Sequence, residues 1–441
     1  MAHSNPVNPL TIPDSQLEIE LETSSRWIEG AEIESLLPSA DGGKDAWLFL
    51  AAGFVSEIMV WGFPWSYGIF QDYYSTSLPF AGSSGIPAIG TSAMGILYIA
   101  APVTFGTLIK FPHWKRPAIV LGLLTMCISL GLSSLCTTVP QLIATQGILY
   151  GMGGAITYSP VIQFMDEWFV RRKGFAFGVM WAGTGLGGVI TPLLLEYLLH
   201  KFGFRTALRI WTVLLFTISL PLIWFLKPRL PVPATNRARL GFTFLKDKSF
   251  WILQLGNVLE GFGFFIPSIY LPTYANQLGF SSTVSALTIV LINIAAVFGS
   301  VAMGSFIDKW HVTTGILIST VGSVLSVFFI WGFSTSLPPL LIFCFLYGLS
   351  AGSFATTYPG ILRVVQRNTG QMEGPMIFSF LAMGRGVGNV IAGPLSEALL
   401  KLGHVGEHGL YGTQYGGLVL FTGLSAAFGG VGILGKRAGW M

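Results

Sequence analysis

Long apolar runs, each closed by a short polar or basic break, repeat along most of this chain. A hydrocarbon core of about 30 Å takes about 20 apolar residues per helix. Twelve runs meet that length, near 46–70, 86–109, 117–137, 141–166, 174–199, 207–226, 251–275, 284–307, 312–333, 338–362, 375–399 and 416–434. They predict an all-α membrane protein with twelve transmembrane helices. The longest polar break runs from Lys227 to Lys248 and holds Arg229, Arg237, Arg239 and Lys246 with Pro228, Pro231 and Pro233, so it reads as a cytoplasmic linker. The expected organisation is a tail at 1–45, a six-helix bundle at 46–226, a linker at 227–250, a second six-helix bundle at 251–434 and a short tail at 435–441. The first tail carries Asp14, Glu18, Glu20, Glu22, Glu29, Glu32 and Glu34 against Arg26, and no basic segment leads into an apolar core. Disorder is expected there, and a cleaved signal peptide is not.

Composition points to the same solvent. Of 441 residues, 52% are hydrophobic and 10% charged, against about 25% charged in soluble domains. The net charge of +4 is small and indicates no nucleic-acid partner. What matters is the side of the membrane on which Lys and Arg lie. Most fall in the tails and in the loops on the side of the N-terminus, while Lys201, Arg205, Arg209 and Lys401 fall on the other, which places both termini in the cytoplasm. Cys127, Cys136 and Cys344 sit within apolar runs and read as small buried hydrophobes, not as a disulfide framework.

Two carboxylates interrupt this pattern. Glu57 and Glu260 lie near the middle of the first and seventh runs, and each opens the same sequence, Glu-x6-Pro-x2-Tyr, with Pro64 and Tyr67 in one copy and Pro267 and Tyr270 in the other. A charge at the centre of a bilayer helix costs about 2.5–3.5 kcal/mol on insertion scales, so such residues face a cavity or a partner. The repeat continues. Tyr150-Gly151 answers Tyr347-Gly348, Phe105-Gly106 answers Phe298-Gly299, and Glu196 answers Glu397. Ala182-Gly183-Thr184-Gly185-Leu186-Gly187 answers Ala382-Met383-Gly384-Arg385-Gly386-Val387-Gly388 with one residue of slippage. A parallel repeat of six helices, related by an axis along the membrane normal, is the arrangement of the major facilitator fold.

Three segments carry a narrower resemblance. Asp41-Gly42-Gly43-Lys44-Asp45-Ala46-Trp47 resembles the acidic-Gly-Gly…Ala-Trp opening of the monocarboxylate porter family, particularly its fungal members. Trp168-Phe169-Val170-Arg171-Arg172-Lys173-Gly174, leading into a Gly-rich fifth helix, is similar to that family's second stretch. Trp61-Gly62-Phe63-Pro64-Trp65-Ser66-Tyr67 looks like its first helix. The resemblance covers 41–434 and implies alternating-access transport of small organic acids or amphipathic metabolites, often driven by protons. Animal lactate carriers of the family use a lysine after Phe-Pro and an Asp/Arg pair in helix eight. Here Trp65, Asn293 and Val297 stand in those places, so the lactate-type site is missing; fungal relatives often carry an arginine where Ser300 stands.

What remains is a trio. Arg385 lies in the eleventh run at a depth similar to that of Glu57 and Glu260, where it can serve as a fixed cation for an anionic substrate or for one glutamate, while a buried glutamate carries a proton. The alternative is a static Glu260–Arg385 pair, or acids simply protonated and hydrogen-bonded between helices. Trp61, Trp65, Tyr67, Phe264, Phe265, Tyr270, Tyr158 and Tyr358 can line an apolar pocket, and Asn293 lies beside them in helix eight; packing against lipid is the competing use of those rings. Substrate or proton binding is therefore expected at Glu57, Glu260, Arg385, Trp65, Tyr67, Tyr270 and Asn293.

The loops carry gating signals. Gly304…Asp308-Lys309 resembles the Gly-x-x-x-Asp-basic loop motif of facilitators, in which the acid caps helix ends and latches the cytoplasmic side. The matching loop Lys110–Arg116 keeps the bases without the acid, so its latch is expected to be degraded. Arg171, Arg172 and Lys173 can hold Asp166, Glu167 or anionic lipid, or serve only as topology determinants. Two motif matches are rejected. His404-Val405-Gly406-Glu407-His408 fits a zinc-peptidase pattern but sits among glycines in a short loop, and Gly183–Gly188 fits a dinucleotide fingerprint with no strand before it. No metal site and no catalytic residue are expected.

The function expected is secondary active transport in the plasma membrane, by an integral protein whose partners are the bilayer and a small-molecule substrate. No cofactor is expected beyond a coupling proton, and the sequence carries no signal for an oligomeric state. Efflux of a fungal secondary metabolite leads; proton-coupled monocarboxylate uptake is the alternative, and a non-transporting membrane sensor is the alternative of another class.

Overall fold

The computed structural model describes residues 37–83, 85–231, 240–370, 373–402, 411 and 413–440. The acidic tail to residue 36, the linker residues 232–239 with Arg237 and Arg239, and the His404–His408 motif lie outside the described residues. Every regular element among the described residues is helical. The twelve expected runs are all helical over most of their length, and ten helices are long and apolar enough to cross a membrane. Two features reconcile the counts. One fifty-residue helix, Lys173–Leu222, covers two runs and turns at Gly203, whose φ of 72° suits a residue without a Cβ. The fourth run, helical from Val139 to Trp168 with a π-helical segment at Ile143–Leu149, is not among the ten.

The elements that build the centre follow in chain order. They are α1 (Gly43–Trp65), α2 (Tyr67–Thr76), α3 (Ile86–Ile99), α4 (Ala101–Lys110), α5 (Lys115–Ser133), α6 (Tyr150–Trp168) and α7 (Lys173–Leu222). After the linker come α8 (Lys248–Phe264), α9 (Ile266–Gln277), α10 (Ser282–Lys309), α11 (Val312–Leu325), α12 (Leu337–Ala351), α13 (Tyr358–Thr369), α14 (Gly374–Leu402), α15 (Gly416–Gly429) and α16 (Gly432–Arg437). The repeated prolines act at the same point in each set. A proline lacks the N–H of the helical ladder and clashes with the preceding turn. Pro64 lies at the end of α1, where Ser66 Oγ donates to the Gly62 carbonyl at 2.6 Å, and Pro267 opens α9. The chain therefore breaks between α1 and α2 and again between α8 and α9, each time about two turns beyond the buried glutamate.

Small residues bring the helices close. On α7, a Cβ at Gly187 would lie 3.2 Å from the Cα atoms of Gly62 and Ile58 on α1, tighter than most such contacts, so glycine suits this close approach. The Gly183–Gly188 run is thus a packing surface. The same helix also packs along α10, and α14 packs along α8 and α3, so α7–α10 and α3–α14 form the seams between the N-terminal and C-terminal helices. Apolar side chains distribute unevenly along those seams. One cluster joins both sets, with Phe105, Phe164 and Phe177 against Phe250, Phe354 and Phe378. Away from it, Phe63, Tyr150 and Trp211 belong to a cluster of the N-terminal helices, and Ile266, Trp331 and Tyr347 to one of the C-terminal helices.

Candidate functional site

Positions four apart on a helix lie one above the other, so α1 presents Glu57, Trp61 and Trp65 as one stripe. The stripe faces a central cavity of about 110 Å³ between the two sets of helices. A water needs about 10–15 Å³ by this kind of measure, so the space holds several waters or a small group. Its wall also includes Tyr98, Trp181, Thr184, Phe264, Ser268 and Arg385. Glu57 is 2% exposed. Thr184 Oγ1 donates to Glu57 Oε2 at 2.8 Å, and Glu57 Oε1 has no hydrogen-bond partner among the described residues.

The C-terminal helices repeat the stripe with different chemistry. Glu260, Phe264 and Ser268 follow the same spacing, and Arg385 of α14 donates from Nη1 to Glu260 Oε2 at 2.6 Å. The guanidinium carbon lies 4.2 Å from the Phe264 ring centre and 5.9 Å from that of Phe354, in the range of cation–π attraction. Thr184 and Arg385 occupy matching places in the Gly-x-Gly repeats of α7 and α14. One hydroxyl and one guanidinium thus answer two equivalent glutamates. Thr184 carried no charge to mark it; its place in the repeat opposite Arg385 is the signal that finds it.

The apolar floor lies on the side of the shared cluster. Phe378 stacks on Trp181 at 6.0 Å and on Phe105 at 5.8 Å between ring centres. Trp181 Nε1 donates to Tyr158 Oη at 2.9 Å, and Tyr358 Oη donates to Asn257 Oδ1 at 2.8 Å, so these rings are fixed in place. On the far side Trp65 meets Phe265 at 4.4 Å across the two sets. Asn293 lines the cavity while its Nδ2 donates to Gly188 O at 3.2 Å, which ties α10 to α7. Tyr67 and Tyr270 stand elsewhere, beyond the proline breaks. Tyr67 donates to the Ile86 carbonyl, and Tyr270 Oη shares a 3.0 Å hydrogen bond with Ser396 Oγ. Trp181, Tyr98 and Phe378 are lining rings that the sequence did not single out, and Tyr347, marked there only by the repeat, lines the cavity with them.

Asp308 organises one end of the molecule. Its Oδ1 and Oδ2 accept from the backbone N–H groups of Gly174 and Phe175, both at 2.8 Å, at the N-terminus of α7, where a carboxylate also meets the helix dipole. Arg363 lies 3.5 Å from the same carboxylate. Asp41 holds the preceding loop, accepting from Val170, Arg171 and Arg172 N–H at 3.0, 2.9 and 2.8 Å. Arg171 and Arg172 thus contribute their backbones here while their side chains are exposed, as is Lys309. Lys173 pairs with Asp166 at 2.7 Å, and Lys115 lies 3.5 Å from Glu167. Five N–H groups between 170 and 175 therefore end on two carboxylates, one from each set of helices.

The chain is similar to known proteins. The chain matches the Major Facilitator Superfamily over residues 48–393. It is 32% identical over 273 residues to the MFS-type transporter pytF of Aspergillus terreus, covering 61% of this chain and 91% of that one. It is 29% identical over 415 residues to the aspyridones efflux protein apdF of Emericella nidulans, covering 91% of this chain and 79% of that one. Among solved structures, the human organic anion transporter MFSD10 (TETRAN) superposes with a TM-score of 0.65 at 16% identity, over 89% of this chain and 99% of that one, a likeness of fold.

Proposed function

This chain belongs to the Major Facilitator Superfamily and is a membrane transporter; from that premise we propose that it exports an acidic, ring-bearing secondary metabolite by proton-coupled alternating access. One observation carries the reading: Glu57 and Arg385 line one cavity, and Glu260, the repeat counterpart of Glu57, is buried against Arg385. Arg385 is the group for the substrate's anion, and Glu260 is its counter-ion when the site is empty. Glu57, which no cation among the described residues balances, is the group that takes up and releases the proton. A buried carboxylate held only by a hydroxyl is costly as an anion, so its charge state follows the side to which the cavity opens.

The surrounding rings support a larger substrate than a short-chain acid. Trp61, Trp65, Trp181, Phe264 and Phe378 offer flat apolar walls. The resemblance to the monocarboxylate porter family supports an organic acid, and Trp65, Asn293 and Val297 in place of the lactate-type groups argue against lactate. Relatives named for efflux, such as the aspyridones efflux protein, support the outward direction. On this reading the protein sits in the plasma membrane, both termini and the Asp308 end face the cytoplasm, and two six-helix units at 46–226 and 251–434 rock about the α7–α10 and α3–α14 seams.

Metabolite profiles of source cells with and without the gene test this. Deletion is expected to raise the intracellular share of one acidic, ring-bearing compound, and restored wild-type protein to lower it. Unchanged compound distribution with poor growth on a single short-chain acid would instead support uptake.

A further inference from the structure

The cavity-facing stripe of α1 has a property that acid binding leaves unused. Glu57, Trp61 and Trp65 are three successive residues of that stripe, and each leaves one polar atom without a hydrogen-bond partner among the described residues: Glu57 Oε1, Trp61 Nε1 and Trp65 Nε1. Trp61 is 3% exposed. A buried donor left unmet is unfavourable by about 1–3 kcal/mol, and indole N–H groups at such depth ordinarily find an acceptor. Trp181, on the same cavity, does so through Tyr158.

The opposite wall offers the contrast. There the equivalents of the two tryptophans are Phe264 and Ser268, and Phe264 lies under the Arg385 guanidinium. The cavity lining therefore differs across the repeat axis, with a cation on the C-terminal side and, on the N-terminal side, two tryptophans whose unpartnered N–H groups are covered in this state. Trp61 and Trp65 are one turn apart, so their rings are offset by about 6 Å along the helix. Trp61 packs at 4.6 Å on Tyr98 and Trp65 at 4.4 Å on Phe265, which holds both rings in place.

We propose that Trp61 and Trp65 form a carbonyl-binding subsite, and that the substrate is a ring-bearing acid carrying a ketone, lactone or amide oxygen set apart from its acidic group. The anion goes to Arg385 and the neutral acceptor to the indole N–H groups, so the two ends of one molecule join the two walls. The inference rests on the acid-binding reading of Arg385. It adds the second recognition element that separates such a compound from a plain aromatic acid. A site built to donate to a carbonyl discriminates against an apolar isostere because the buried donors are then left unmet.

Two probes isolate that element: 6-acetyl-2-naphthoate and its isostere 6-isopropyl-2-naphthoate, titrated calorimetrically into the full-length protein in nanodiscs. Wild type is expected to bind the acetyl acid about tenfold more tightly, the size of one net hydrogen bond. W61F and W65F keep an aromatic ring and remove the N–H; each is expected to narrow the preference, and W61F/W65F to erase it, whatever affinity the two acids then share. W211F removes an equally unpartnered indole outside the cavity lining and is expected to keep the preference. Equal affinities in wild type, or a preference that survives in W61F/W65F, overturn the inference alone, provided that R385Q still weakens both acids. No binding of either acid by wild type, or an R385Q variant that binds both as before, overturns the acid site and this inference with it.

Discussion

Arg385 and Thr184 hold matching places in the repeat, yet only one of them can balance a carboxylate. Removing one member of a buried ion pair strands the other charge, which typically destabilises by about 3–5 kcal/mol, whereas removing both is far milder. R385M is therefore expected to lower the unfolding temperature of the purified protein clearly, and E260Q/R385M to restore most of the loss. A double variant as unstable as R385M would show that Glu260 is not the stranded partner. The charged members of this site were legible in the sequence because a charge in an apolar run is rare. Thr184 was not, since a threonine in a helix is ordinary and only its register opposite Arg385 gives it meaning. Tyr67 and Tyr270 shared the repeated sequence with the glutamates, but the proline breaks redirect the chain between acid and tyrosine, so the rings bond to Ile86 and Ser396.

Among the elements, the loop before α7 is held from two directions. Asp308 reaches it from the C-terminal helices and Asp41 from the approach to α1, so the loop stays with its own bundle when the contact to Asp308 breaks. Spin labels at the exposed positions 171 and 309, introduced as R171C and K309C, report that separation by pulsed electron–electron resonance. D308A is expected to add a longer-distance population, and D41A to broaden the distribution by loosening the loop. A D308A distribution identical to that of the parent would exclude the latch. Asp308 was legible from its loop motif with Gly304. Asp41 stood out only through a family resemblance, because the N–H groups it accepts lie about 130 residues further on and no local pattern records that contact. The turn at Gly203 was expected as a loop between two spans; the structure carries it within one continuous helical stretch.

For the whole molecule, the lengths of the apolar runs were enough to read an all-helical membrane fold, since bilayer thickness fixes them, and all twelve runs are helical over most of their length. Which end is closed could not be read, because it depends on packing between distant runs. The structure joins the two sets through one apolar cluster near Phe378 and, on the far side of the cavity, through the Trp65–Phe265 contact. On the proposed function, the centre takes a proton at Glu57 in exchange for an acid at Arg385. The most direct test is uptake into inside-out plasma-membrane vesicles of the compound that gene deletion retains in cells, with and without an imposed pH gradient. Wild-type protein is expected to concentrate the compound only with the vesicle interior acidic, and E57Q to bind it without concentrating it. Concentration by E57Q with the same dependence on the gradient would contradict the account.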